Sequence, residues 1–205
     1  MLSSAFVSFD FLGYEFWLNQ DSNKIHIQYG ITQEKRDKYS ARLEKIISLY
    51  TNPNSFDSGN EELLRHRIAA FTSRAVYLGS RYSSNIWKVK GFISNYGELR
   101  YMLGTGLVHP DTEEYLKTMV ENNFSLAGFT PYFILGAPKS VPGYNLYQNM
   151  RVNKTILLVE GIGFDYESLA NLCKKIGINN FDANGNKRTY SSLVRDYLIK
   201  VNIGY

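Results

Sequence analysis

The sequence predicts an α+β protein, mainly helical, that opens with a β-hairpin and closes with a small α/β segment. Three observations carry this. Apolar residues alternate with period two on both sides of the polar run Asn19 to Asn23. Further on they recur at helical spacing, as in Tyr39, Leu43, Ile46, Ile47 and Tyr50. Near the C-terminus, "KTILLVEG" reads as a buried strand and "DYESLANLCKKIGI" as a helix after it.

In order along the chain, Val7, Phe9 and Phe11 begin the first strand, and Tyr14, Phe16 and Leu18 continue it. Gly13 inside that strand predicts a bulge or a close backbone approach. "KIHIQY" alternates again and completes the hairpin. Thr32 is placed to cap the next helix, with Ile31 as a staple before it. That helix carries Lys35, Arg36, Lys38, Arg42 and Lys45 largely off its apolar stripe. "TNPNSFDSGN" is a loop. A second helix is expected from about Glu61 to Tyr77, with Leu64, Ile68, Phe71 and Ala75 inward. An irregular link and a further helix follow to about Leu103, mixing Arg81, Lys88, Lys90 and Arg100 with Tyr82, Trp87, Tyr96 and Tyr101. Cations interleaved with aromatics are able to hold a single strand by phosphate pairing and stacking. A short helix from Asp111 or Thr112 through Val120 leads to a proline-rich seam near Ser125 to Asn153. A turn at Asn184-Gly185 precedes a terminal helix.

The net charge of +4 permits an anionic partner, and the cations are unevenly spread. The single Cys173 rules out an internal disulfide. No apolar run approaches the roughly 18 residues of a membrane span, and no signal-peptide pattern opens the chain, so the expected location is the cytoplasm. His26, His66 and His109 are far apart and form no zinc spacing. No GxSxG elbow and no phosphate-binding GxxxxGK[ST] loop occurs. "DANGNKR", Asp182 to Arg188, has Lys187 where a calcium loop requires glycine, and reads as a turn.

Two stretches resemble known families. "ILLVEGIGFDYESLANLCKKIGI" is similar to the first half of the TOPRIM fold, which would make Glu160 a metal-coordinating acid. The DxD pair that such a site needs is absent after Glu160. "FDFLGYEFWLNQDSNKIHIQYGITQEKRDKYSARLEKI" resembles the end of the palm and the start of the thumb in bacterial retroelement-type reverse transcriptases. These include retron, group II intron and defence-associated or abortive-infection enzymes. The matching positions are Phe11, Leu12, Gly13, Tyr14 and Phe16, then Lys24, Ile25 and Ile27, then Lys35 to Ile47.

The resemblance implies a primer-grip hairpin over residues 1–30, a helical thumb-like region over 31–125, and a C-terminal extension over 126–205. It implies that Gly13 and Tyr14 line a primer, and that Lys35, Arg36, Lys38, Arg42 and Lys45 meet phosphates. Arg74, Arg81, Lys88 and Lys90 are second-rank candidates. The partners implied are an RNA and/or DNA template–primer and a palm/fingers polymerase portion, in antiphage defence and with no membrane. Polymerisation needs carboxylates to hold Mg²⁺, and the resemblance implies that they come from an early aspartate and a "YxDD" turn. The chain has no Asp-Asp pair and only ten residues before Phe11. It is therefore expected to hold no catalytic residue or cofactor itself, with Mg²⁺ at the palm of the complete polymerase. A split-enzyme half, a fragment and a detached domain all remain open. So do a TOPRIM-like nuclease fragment and a protein–protein interaction module. On the reverse transcriptase reading, Val7, Phe9 and Phe11 should present apolar surface.

Overall fold

The computed structural model describes residues 6–21, 24–78, 86–131, 144–159 and 164–203. The protein is α+β and mainly helical, with an antiparallel sheet at the N-terminus and a smaller mixed sheet. The chain groups into two compact units, each built from two separate stretches: residues 1–42 with 96–152, and 43–95 with 153–205. The passage at Val152–Asn153 falls at the end of the proline-rich seam.

The first unit opens with β1 (Phe6–Phe11), β2 (Tyr14–Asp21) and β3 (Lys24–Ile31), in the order β1-β2-β3. One strand was expected through Gly13, with a bulge or a close approach there; the chain instead turns at Gly13, and the close approach is present, to Lys35. Leu12 and Gly13 have φ of 51° and 84° and form a two-residue loop that pairs Phe11 with Tyr14. The register aligns Val7, Leu18 and Ile27, then Phe9, Phe16 and Tyr29, then Phe11, Tyr14 and Ile31 on one face. On the other face Trp17 lies across Gly30, where an added Cβ would meet the indole at 2.4 Å. Trp17 also stacks on His109 at 4.0 Å. The Tyr29 amide donates to the Leu107 carbonyl, and the His109 amide to that of Tyr29.

Helix α1 (Gln33–Thr51) begins as expected at Thr32, whose hydroxyl accepts from the Lys35 amide at 3.4 Å. Its stripe of Tyr39, Leu43, Ile46 and Ile47 is buried. The first unit is completed by a 3₁₀ turn (Gly97–Tyr101), α4 (Pro110–Leu126, numbered after α2 and α3 of the second unit) and α5 (Leu146–Arg151). Pro110 starts α4 without losing a helical hydrogen bond. Thr112, fully buried, accepts from the Ile31 amide at 3.0 Å and so ties α4 to the sheet.

In the second unit α2 is shorter than expected, running Glu61–Thr72. Ser73 is extended, and β4 (Arg74–Leu78) follows. The Thr72 and Ser73 hydroxyls bond back to the Ile68 and Ala69 carbonyls and occupy the last turn. The expected link also contains β5 (Ile86–Lys90) and the short helix α3 (Phe92–Asn95). β4 is central, antiparallel to β5 and parallel to β6 (Thr155–Leu158). Helices α6 (Tyr166–Lys175) and α7 (Tyr190–Val201) supply the core, with Leu169, Cys173, Leu193 and Tyr197 buried around Leu158. Gly185 has φ of 80° in a turn where Asp182 Oδ1 accepts the Asn184 and Asn186 amides. No helix among the described residues is long and apolar enough to cross a membrane.

His66 gives this unit a pH dependence. Its Nδ1 lies 3.0 Å from the hydroxyl of the buried Tyr197. Burial pulls its pKa below the usual histidine value, outweighing the upward pull of Glu62. The unfolded chain therefore takes up the proton first. Stability from this site is complete above about pH 6.5 and declines as pH falls below it. Denaturant titrations at successive pH values should show that decline in the native protein and a flatter profile in His66→Gln. Equal slopes would remove His66 as the cause.

Candidate nucleic-acid interface

The β1–β2 turn places Gly13 against α1. A Cβ added there would stand 3.0 Å from Lys35 Cε and 3.3 Å from the Tyr96 hydroxyl. Glycine is thus needed twice, for the positive φ and for the close passage of the lysine stem. The Lys35 ammonium is 3.6 Å from the exposed Glu34 carboxylate, a pair that water and salt readily screen. It remains available to a stronger anion.

Four tyrosines from different elements surround this point. Tyr96 meets Tyr14 edge-to-face at 5.3 Å and Tyr39 at 5.9 Å. Tyr115 on α4 donates its hydroxyl to the Arg36 carbonyl at 3.1 Å. Burial pushes the phenols of Tyr14, Tyr96 and Tyr115 above the usual range, and the neighbouring Tyr39 adds to each. At neutral pH they are hydrogen-bond donors with rigid rings, and they are not bases. Arg42 holds its guanidinium 5.1 Å over the Tyr39 ring, which fixes the cation beside the cluster.

Along α1, Lys35, Lys38 and Arg42 recur at spacings of three and four and share one side of the helix. Lys38 is exposed, and Lys35, Arg36 and Arg42 are half-buried. The Arg36 Nε is buried without a hydrogen-bond partner. Gly13, Tyr14, Lys35, Arg36, Lys38 and Arg42 thus belong to one unit and one neighbourhood. Lys45, exposed, lies on the part of α1 that belongs to the second unit.

The second-rank candidates are not gathered in the same way. Arg74 is half-buried in β4, where a helix was expected, and its amide donates to the Lys154 carbonyl. Lys90 pairs with Ala75, the neighbour of Arg74, so Arg74 and Lys90 sit on opposite faces of the small sheet. Lys88 is in β5, with its side chain outside the description, and Arg81 lies outside the described residues. Glu160 also lies outside them, between β6 and α6. Among the described residues no cluster of three or more His, Cys, Asp or Glu side chains could hold a metal ion.

Sequence reasoning missed the convergence of Tyr14, Tyr39, Tyr96 and Tyr115. Their spacing has no common period, because four separate elements bring them together. The Trp17–His109 stack is of the same kind; Gly30 beside an aromatic strand was the one local trace of it. No protein-family model, curated protein or solved structure matches the chain.

Proposed function

We propose that the first unit binds the template–primer of a reverse transcriptase, RNA–DNA or RNA, as its primer-grip and thumb portion. The palm and fingers, with their Mg²⁺ and catalytic aspartates, would be supplied elsewhere, and the setting would be antiphage defence in the cytoplasm. The observation that carries this reading is the seating of the Gly13 turn against Lys35 on the basic side of α1. Positions that the resemblance links only by order in sequence meet there in space. Gly13 makes room for the Lys35 stem at the turn, and Lys35, Lys38 and Arg42 neutralise phosphates without reading bases.

Binding of a blunt RNA–DNA hybrid should fall steeply with salt, as counterion release requires. Lys38→Glu with Arg42→Glu should weaken it by about 10-fold or more and lower the salt slope by about two. Fluorescence anisotropy across a salt series measures both. An affinity that ignores salt and these substitutions would end the reading.

A second reading, a protein–protein interaction module, is favoured by one observation. Val7, Phe9 and Phe11 are 53%, 50% and 62% exposed. A partner held by that apolar surface would stay bound at high salt.

A further inference from the structure

The face of the N-terminal sheet that carries these residues has a second property. Phe9 and Phe16 stack in parallel at 4.9 Å, and Tyr29 meets Phe16 edge-to-face at 5.4 Å. The next cross-strand row is Phe11 and Tyr14. Two rows of aromatic rings therefore cross adjacent strands, about 7 Å apart along them. That is close to one backbone repeat of an extended single strand of nucleic acid. The outer ring of each row is open, Phe9 at 50% and Phe11 at 62%.

The charge carried by the strands is compatible with the same occupant. Asp10 and Glu15 pair with each other across β1 and β2 and are offset by one residue from the aromatic rows, so both acids sit on the opposite face. The strands themselves thus put no acid on the aromatic face, and its turn end abuts Lys35, with Glu34 beside the ammonium and Glu98 near Tyr14.

We propose that this face is a stacking platform for unpaired bases, taking a short single-stranded extension that continues from the strand whose phosphates lie along α1. Phe9 and Phe11 would receive successive bases, and Lys35 the phosphate between the extension and the duplex. Base–aromatic stacking is tolerant of sequence, so the platform should accept any base. The proposal rests on the nucleic-acid reading above and adds the class of substrate: a duplex with an unpaired end.

The test uses the full chain with three probes: a blunt RNA–DNA hybrid, the same hybrid with a short oligo(dT) extension, and oligo(dT) alone. The extension should tighten binding by about 10-fold or more. Phe9→Val with Phe11→Val keeps strand propensity and removes both rings. It should abolish the gain while leaving blunt-hybrid affinity within about twofold, and Phe9→Tyr with Phe11→Tyr should restore it. If the extension gives no gain, or the valine variant keeps it, while Lys38→Glu with Arg42→Glu weakens every probe, the platform is overturned and the phosphate reading stands. If the blunt hybrid itself does not bind, both fall. If the valine variant instead loses concentration-dependent self-association in sedimentation, and the probes are unaffected, the face is a protein contact and the platform is overturned.

Discussion

Gly91→Ala should unfold the second unit. Gly91 lies between β5 and α3 with φ of 103°, in a region that L-residues rarely enter. A Cβ there would stand 1.9 Å from the Ser73 carbonyl oxygen and 2.9 Å from that of Ala70. Both obstacles are main chain at the end of α2, so no rotamer change relieves the clash. Relief requires moving α2 away from β5, and with it the start of β4. The combination of steric overlap and wrong-handed backbone should cost more than about 4 kcal/mol, the upper tail of single substitutions. That is a large part of the roughly 5–15 kcal/mol that holds a domain together. Gly59→Ala is the matched control. It has φ of 69° with nothing within 4 Å, so it carries the backbone cost alone, about 1 kcal/mol. Thermal and urea unfolding, followed by far-UV circular dichroism, should show Gly91→Ala unfolded or nearly so and Gly59→Ala lowered by a few degrees. Equal midpoints for the two variants would contradict the argument.

The same contrast between local and tertiary causes explains what the sequence shows of this fold. The N-terminal ribbon is legible because one face of it is apolar. Its turn was legible in principle too. The apolar positions shift from odd numbers in Val7, Phe9 and Phe11 to even in Tyr14, Phe16 and Leu18, and in a hairpin that shift keeps them on one face. Helix α1 is legible because its stripe is uninterrupted and Thr32 marks its start. The end of α2 is not, because Ala75 continues the helical spacing of Leu64, Ile68 and Phe71. What stops the helix is a Thr-Ser pair bonded to its own backbone, followed by residues that pair with β6, far away in sequence. Of the candidate interface, the cations on α1 were legible as a basic flank. The tyrosine cluster around Gly13 was not, since its members share a neighbourhood only after the sheet, α1 and α4 have packed. Gly13 carried a trace of it: a glycine inside a run of alternating apolar residues marks a backbone that something approaches closely.

The second large effect is expected from Asp57→Ala. Arg67 is 3% exposed, and its guanidinium is held by the Asp57 carboxylate at 2.5 Å and by the Lys200 carbonyl at 3.1 Å. Asp57 also takes the Lys200 ammonium at 2.8 Å, so one carboxylate joins the loop before α2 to both α2 and α7. Removing it leaves a buried arginine with a single neutral acceptor and a lysine facing it. A buried charge stripped of its partner costs about 3–5 kcal/mol. Arg67→Met should cost less, because it removes the charge that needs compensation and leaves Asp57 paired with Lys200. Acid should reproduce the aspartate effect. Burial alone would raise the Asp57 pKa, but hydrogen bonds from Lys200 and Arg67, with their charges, hold it below the usual carboxylate range. The folded state therefore gives up this proton more readily than the unfolded chain. Its contribution is complete above about pH 3.9 and is lost as pH falls below that toward the lowered folded value. Urea unfolding at pH 7 should rank native protein, Arg67→Met and Asp57→Ala in descending stability. Asp57→Ala should also show a shallower loss than native protein on acidification below pH 4. A reversed order of the two variants would mean that the ion pair holds the helices together less than the packing of the arginine stem does.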